Sequence, residues 1–337
     1  MNASELALSK KDNSLTIVMN VLPSHLRKML QRLQQLQPEE MARLEELRLR
    51  QNRPMVLGFS DEDVFLHREG GLTAHSERAY FVSADDIQRT TQMVSNSSIY
   101  ALEEELKNGY ITLTGGHRVG ITGKVVADQG RVKTIKYISG FNIRISRQVV
   151  GAADQLLRHL ISPKGDVYHT MLISPPRCGK TTILRDIVRQ LSSGIQKFNF
   201  PGVTVGVVDE RSEIAGCYRG IPQLNVGTRS DVLDSCPKAS GMMMLLRSMS
   251  PQVIATDEIG RMEDVEALEE VLNAGVKVLT TAHGAAVDDI EKRPAIKRLL
   301  KLQAIERLVV LDRSKGPGTV KQVLDGITYR PLGVKRC

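Results

Sequence analysis

Residues 174–182 read Ser-Pro-Pro-Arg-Cys-Gly-Lys-Thr-Thr, directly after the apolar run Met171, Leu172, Ile173 and before residues 183–191, whose pattern predicts a helix. A strand delivering a small-residue loop into a helix is the context a phosphate-binding loop requires. The chemistry is electrostatic: backbone N–H groups turn inward, the helix N-terminus carries partial positive charge, and Lys180 adds a full charge beside the β- and γ-phosphates. Thr181 is then placed to ligate Mg2+. Ser174, Pro175, Pro176, Arg177, Cys178, Gly179, Lys180, Thr181 and Thr182 are accordingly the candidate nucleotide-binding residues. One position departs from the Gly-x4-Gly-Lys-[Ser/Thr] pattern, since Ser174 stands where the first glycine is expected. The competing interpretation is a basic turn capping an ordinary helix, and the rest of the chain has to decide.

From Asp166 onward, apolar runs alternate with helical patterns, the mark of an α/β unit with a parallel sheet covered on both faces. Strands are expected over 168–173, 203–208, 253–256 and 276–281, with weaker ones over 308–311 and 322–324, and a helix over 265–272. The apolar run Met242–Leu246 is expected to be a packing helix.

Three of these strands end in chemistry. Val253-Ile254-Ala255-Thr256 runs into Asp257-Glu258, a form in which the first acid binds Mg2+ and the second orients or deprotonates an attacking water. The strand over 203–208 ends in Asp209-Glu210-Arg211, so Glu210 competes with Glu258 for the role of base; its bland alternative is an ion pair with Arg211. The strand over 276–281 runs into His283-Gly284, where the imidazole can sense a γ-phosphate by a hydrogen bond. Ligands of such sheets collect at the carboxyl ends of the strands.

Residues 1–150 read as a smaller α+β domain. The polar start, 1–15, is expected to be disordered. A helix follows over 23–36, with Leu26, Met29, Leu30 and Leu33 at helical spacing. Residues 39–49 are helical or turn extended toward Arg48-Leu49-Arg50, and Arg53-Pro54 with Gly58 suggests a strand edge. Helices are expected over 82–97 and 99–109, a hairpin around Gly115-Gly116 with strands over 110–114 and 118–126, and a connecting helix over 152–160. In a strand over 141–147, Asn142, Arg144 and Ser146 share a polar face, and Arg144 is a candidate catalytic guanidinium or a solvated sheet arginine. The second domain spans 151–337.

The chain has 337 residues, 41% apolar and 25% charged, which fits about two globular domains. A net charge of +8 permits anionic partners, but an aromatic content of 4% with no Trp argues against a groove that stacks nucleic-acid bases. Cys178, Cys217, Cys236 and Cys337 form no Cys-x-x-Cys pair, pointing to reduced thiols in a cytoplasm and no metal beyond Mg2+. There is no run of 18 apolar residues and no signal peptide, so a membrane role has to come through a partner.

Several stretches resemble the ATPases of type II secretion and type IV pilus machines and, within that superfamily, the stage III sporulation protein AA family of endospore-forming bacteria. The likeness rests on residues 174–182, Val-Val-Asp-Glu-Arg-Ser-Glu-Ile at 207–214, Cys-Pro-Lys at 236–238, Gly-Met-Met-Met-Leu-Leu-Arg-Ser-Met-Ser-Pro-Gln at 241–252 and Thr-Ala-His-Gly at 281–284. Glu-Leu-Arg-Leu-Arg at 46–50 and Gly-Gly-His-Arg-Val-Gly at 115–120 extend it into the first half.

The resemblance implies a RecA-like P-loop NTPase core preceded by the smaller domain, a hexameric ring with nucleotide between subunits, and work on an integral membrane protein of a secretion-like complex. It also implies a cytoplasmic protein at the mother-cell side of the membrane, with ATP and Mg2+ as ligands. By motif, Lys180 and Thr181 bind nucleotide and Mg2+, Glu258 activates water, Glu210 lies in an acidic box and His283 in a histidine box. Arginines of the first domain reach the nucleotide in such proteins, and Arg144 is aligned with them. Nucleic acid is not expected as a partner. A nucleic-acid-stimulated ATPase and a nucleotide-binding scaffold with little turnover are the alternatives.

Overall fold

The computed structural model describes residues 14–60, 62–95 and 103–333; the expected disorder before residue 14, the junction of the two helices around 96–102 and Cys337 lie outside these. The chain divides into two compact units between Arg147 and Gln148.

The first unit is a seven-stranded antiparallel sheet in the order β4-β3-β2-β1-β7-β6-β5. Its strands are β1 Glu46–Arg50, β2 Val56–Gly58, β3 Asp63–Leu66, β4 Leu72–Thr73, β5 Tyr110–Thr112, β6 Arg118–Asp128 and β7 Arg131–Arg144. Alternation decides which face is covered: in β1, Leu47 and Leu49 are buried and Arg50 is exposed. The helix Ser24–Leu36 lays Leu26, Leu30 and Leu33 into the same core, at the i, i+4, i+7 spacing of one helical face.

Three local expectations change. Residues 39–49 split into a short helix, Pro38–Arg43, and the strand β1. β2 pairs on both sides, with β1 and β3, and is not an edge; Pro54 is tolerated because it lies just before the strand. β7 is much longer than expected, its first half forming a ribbon with β6. It ends at Arg144, since Ser146 N–H turns out of the ladder to donate to His117 Nδ1 at 3.0 Å. Helix Ala84–Val94 starts at Ser83, where Ser83 and Asp86 form a capping box.

The second unit is a seven-stranded sheet in the order β10-β9-β11-β12-β8-β13-β14, parallel except for the edge strand β14. The strands are β8 Thr170–Ser174, β9 Val205–Asp209, β10 Ser230–Asp234, β11 Val253–Thr256, β12 Lys277–His283, β13 Arg307–Asp312 and β14 Thr319–Asp325. Each face has its own core. Leu172, Val207, Ala255, Leu279 and Val309 pack with the helix Lys180–Ser193 on one side. Met171, Ile173, Ile254, Val278 and Val310 pack on the other with Met242, Leu245, Val265, Leu268 and Leu299. These come from the helices Lys238–Ser248, Met262–Asn273 and Pro294–Lys301. The near-continuous apolar runs of the strands follow from burial on both faces.

The expected helix over 152–160 shrinks to Leu157–Leu160. Upstream, Gly151 N–H and Ala153 N–H donate to the Asp186 carboxylate at 3.2 and 2.9 Å, which draws that backbone into turns.

Candidate nucleotide-binding site

β8 stands between β12 and β13, so chain order reverses beside it, and β9, β11, β12 and β8 are successive neighbours in parallel. Their carboxyl ends therefore open on one edge of the sheet, the place where α/β sheets hold ligands. Ser174 and His283, the last residues of β8 and β12, are paired in register.

The loop after β8 has two left-handed residues, Arg177 at φ 58° and Gly179 at φ 82°. A Cβ on Gly179 would lie 2.9 Å from the backbone nitrogen of Gly318, in the turn between β13 and β14, so glycine is needed there for both conformation and space. Gly318 N–H also donates to Cys178 O at 2.9 Å, tying that turn to the loop. Ser174 is not left-handed, and its backbone does not call for glycine; its hydroxyl donates to Pro175 O at 2.8 Å. No side chain caps the helix Lys180–Ser193, whose N-terminal N–H groups are left to other acceptors. Thr181 and Thr182 lie half-buried in its first turn.

Lys180 lies inside the site and not on the surface. It is buried, and Nζ donates to Ser174 O at 3.3 Å and to His283 Nδ1 at 2.7 Å. Burial pushes its pKa below the usual lysine range, against the pull of Glu258. His283 Nε2 in turn lies 3.1 Å from Glu258 Oε2. Glu258 is brought there because the turn after β11 is tied to β12 by Ile259 N–H donating to Thr281 O at 2.9 Å.

Asp257, beside it, is buried. Burial raises its pKa, and Lys238 opposes the rise. Its Oδ1 is without a hydrogen bond and faces Lys238 Nζ at 3.4 Å. A buried acceptor with unused capacity, a lysine at a helix N-terminus and the Thr181 hydroxyl are the donor set that a Mg2+–nucleotide calls for, so the residues fit the group.

Glu210 bonds Lys238 Nζ. The bend carrying Glu210 is rigid: Asp209 accepts from the N–H groups of Glu213, Ile214 and Ala215 at 2.8, 3.0 and 2.8 Å. Burial nevertheless pushes the Asp209 pKa up to about 6. Arg185, itself buried, donates to Ile214 O and Glu213 O at 2.5 Å each.

Sequence reasoning gave Lys238 no role, although it stands in the quoted Cys-Pro-Lys stretch. It also passed over the 313–318 turn, whose glycines were the available signal. Arg144 is in the other unit, exposed at the end of β7, with Glu46 and Arg118 as its cross-strand partners. Among the described residues there is no cluster of three or more His, Cys, Asp or Glu side chains suited to a metal ion, and Cys178, Cys217 and Cys236 are free thiols.

A family model described as sporulation stage III, protein AA, matches residues 11–330. The chain belongs to that family. Stage III sporulation protein AA of Bacillus subtilis (strain 168) is 46% identical over 323 residues, covering 95% of this chain and 99% of the relative. Among solved structures, the Legionella pneumophila ATPase DotB is similar with a TM-score of 0.57 at 15% identity, over 86% of this chain and 76% of DotB. The pilus retraction motor PilT, solved with bound ADP, is similar with a TM-score of 0.54 at 14% identity, over 82% of this chain and 77% of PilT. At such identity the likeness is one of fold: this chain has a RecA-like α/β core like that of DotB and PilT, preceded by the smaller α+β unit.

Proposed function

We propose that this chain is a Mg2+-dependent ATPase that energises assembly of, or transport through, a membrane-embedded channel complex during endospore formation. The supporting observation is the row Lys180, His283, Glu258, drawn from three elements at one sheet edge, with Asp257 and Glu210 beside it. Lys180 leaves Ser174 O and His283 for the phosphate oxygens, and the free N–H groups of its helix receive the same anion. Mg2+, held by Thr181 and Asp257, would supply neutralisation of the phosphate charge. Glu258 takes the proton of the attacking water; the water oxygen bonds to the γ-phosphorus as the bond to the ADP oxygen breaks. His283 reports the lysine's position to Glu258, Glu210 stands in the acidic box, and the amino-terminal unit supplies Arg144 as a guanidinium for the transferring phosphoryl group.

The working form we propose is a hexameric ring, cytoplasmic and held at the mother-cell face of the membrane by an integral membrane partner. Among the described residues no helix is long and apolar enough to cross a membrane. The deciding experiment is phosphate release by the purified chain with Mg2+–ATP, with EDTA as control, repeated in the presence of detergent-solubilised membranes from sporulating cells. Mg2+-dependent release raised by the membranes is the expected result. Release raised only by DNA or RNA would point to a nucleic-acid motor, and tight ADP binding without release to a scaffold.

A further inference from the structure

Lys238 is a costly residue where it stands. It begins the helix Lys238–Ser248, where the macrodipole disfavours a cation, and it is 6% exposed. Its stem has little freedom. Pro237 precedes the helix, and the helix presses on β9 so closely that a Cβ on Gly241 would lie 2.5 Å from Val208 Cγ1. What offsets these costs is a pair of carboxylates from adjacent strand ends: Nζ bonds Glu210 Oε2 after β9 and lies 3.4 Å from Asp257 Oδ1 after β11. A single buried ammonium thus sits between the acid proposed for Mg2+ and the acid that rivals Glu258.

We propose that Lys238 is a positioning residue, a tethered cation that holds Glu210 in an ion pair and competes with Mg2+ for Asp257. Two consequences follow, both resting on the nucleotide-binding reading above. Glu210 is withdrawn from proton transfer, because its Oε2 is already engaged by a cation, and Glu258 is left as the base. The Mg2+ concentration at which nucleotide binds is set by Lys238, since a unit positive charge beside Asp257 opposes a divalent cation on the same carboxylate in a poorly screened site.

The test is the binding of a fluorescent ADP (mant-ADP) to the full chain as Mg2+ is titrated, compared among wild type, Lys238→Met, Lys238→Arg and Glu210→Gln. Lys238→Met, which keeps the stem and removes the charge, is expected to lower the half-saturating Mg2+ concentration about fivefold or more. Lys238→Arg should stay near wild type. Glu210→Gln should raise the midpoint about threefold, because the ammonium then has Asp257 alone as its anionic partner. Opposite shifts in two variants are not produced by general loss of structure.

An unshifted or raised midpoint in Lys238→Met overturns the proposal. If that variant does not fold, an unshifted midpoint in Glu210→Gln overturns it instead. A wild-type chain that binds no mant-ADP at any Mg2+ concentration fails the nucleotide reading and takes the proposal with it, whereas binding with unshifted midpoints fails the proposal alone.

Discussion

Nζ of Lys180 lies 2.7 Å from Nδ1 of His283, joining the start of the helix after β8 to the last residue of β12. An ammonium has donors only, so Nδ1 accepts, and a neutral imidazole then carries its proton on Nε2, which faces Glu258 Oε2 at 3.1 Å. Any anion that draws Lys180 away frees Nδ1 and alters what Nε2 can offer Glu258. The geometry thereby couples the occupancy of the loop to the carboxylate one strand end further along.

Lys180→Ala is expected to lower Mg2+–ADP affinity at least about a hundredfold, since one charge-assisted contact to phosphate is worth roughly 3 kcal/mol in a dry site. The fold should survive, because burial already weighs against the ammonium and its partners are a carbonyl and a ring nitrogen. Calorimetry with ADP and a thermal melt check both halves; equal affinity in variant and wild type would remove Lys180 from the site.

Glu258→Gln should hold ATP and lose about 10^2 to 10^4 in turnover, because an amide keeps the shape but takes no proton. Glu210→Gln, whose carboxylate is engaged by Lys238, should lose far less at saturating Mg2+. Single-turnover hydrolysis separates the two. Normal hydrolysis in Glu258→Gln with a dead Glu210→Gln would exchange the roles.

Much of the second unit is readable from sequence for a physical reason: strands buried on both faces must be apolar throughout, and β11 carries Val253-Ile254-Ala255-Thr256 with every residue buried. β10 escaped because Ser230–Asp234 is half-buried along its length and reads as a polar loop. Lys238 as a partner of Glu210 is not legible in the sequence, because the helix start that supplies it is brought up only by folding. Burial of Lys180 was equally hidden, depending on Ser174 O and His283 Nδ1 lying at one sheet edge.

Gly179→Ala should impair the loop without touching a charged group. Its φ of 82° is disfavoured for a side chain, and the added Cβ meets backbone of Gly318, which has no rotamer by which to retreat. A cost of about 1–3 kcal/mol in stability is expected, with weakened ADP binding. Ser174→Gly, by contrast, should leave ADP affinity within about threefold of wild type, because Ser174 needs no left-handed backbone. A Gly179→Ala chain that melts and binds as wild type would contradict the close approach.

Arg144→Ala is expected to bind ATP nearly normally and hydrolyse it about 10^3-fold more slowly, the scale of an arginine acting on a transferring phosphoryl group. The arginine is exposed at the end of β7, so its removal should cost the first unit little stability. Unchanged kcat in Arg144→Ala would return it to a solvated sheet arginine.

The stability of the first unit should fall in mild acid through His117. The ring is fully buried, Nδ1 accepts from Ser146 N–H at 3.0 Å, Nε2 is without a hydrogen bond, and burial lowers its pKa from 6.5 to about 4. A folded-state pKa below the unfolded one means that the unfolded chain takes up the proton first. The contribution is complete above pH 6.5 and is lost as pH falls toward 4, amounting to about 2 kcal/mol at pH 5. In the second unit the signs are mixed: His169 is likewise lowered to about 4, chiefly by burial, while Asp209 is raised to about 6, which favours the folded state as pH drops from 6 toward 4. The first unit should therefore show the steeper acid response. Amide hydrogen exchange in β6 and β7 at pH 7.5 and 5, corrected for intrinsic rates, reads it directly. His117→Gln, whose amide oxygen can still accept from Ser146, should flatten the response, and an equal slope in variant and wild type would assign the acid sensitivity to other groups.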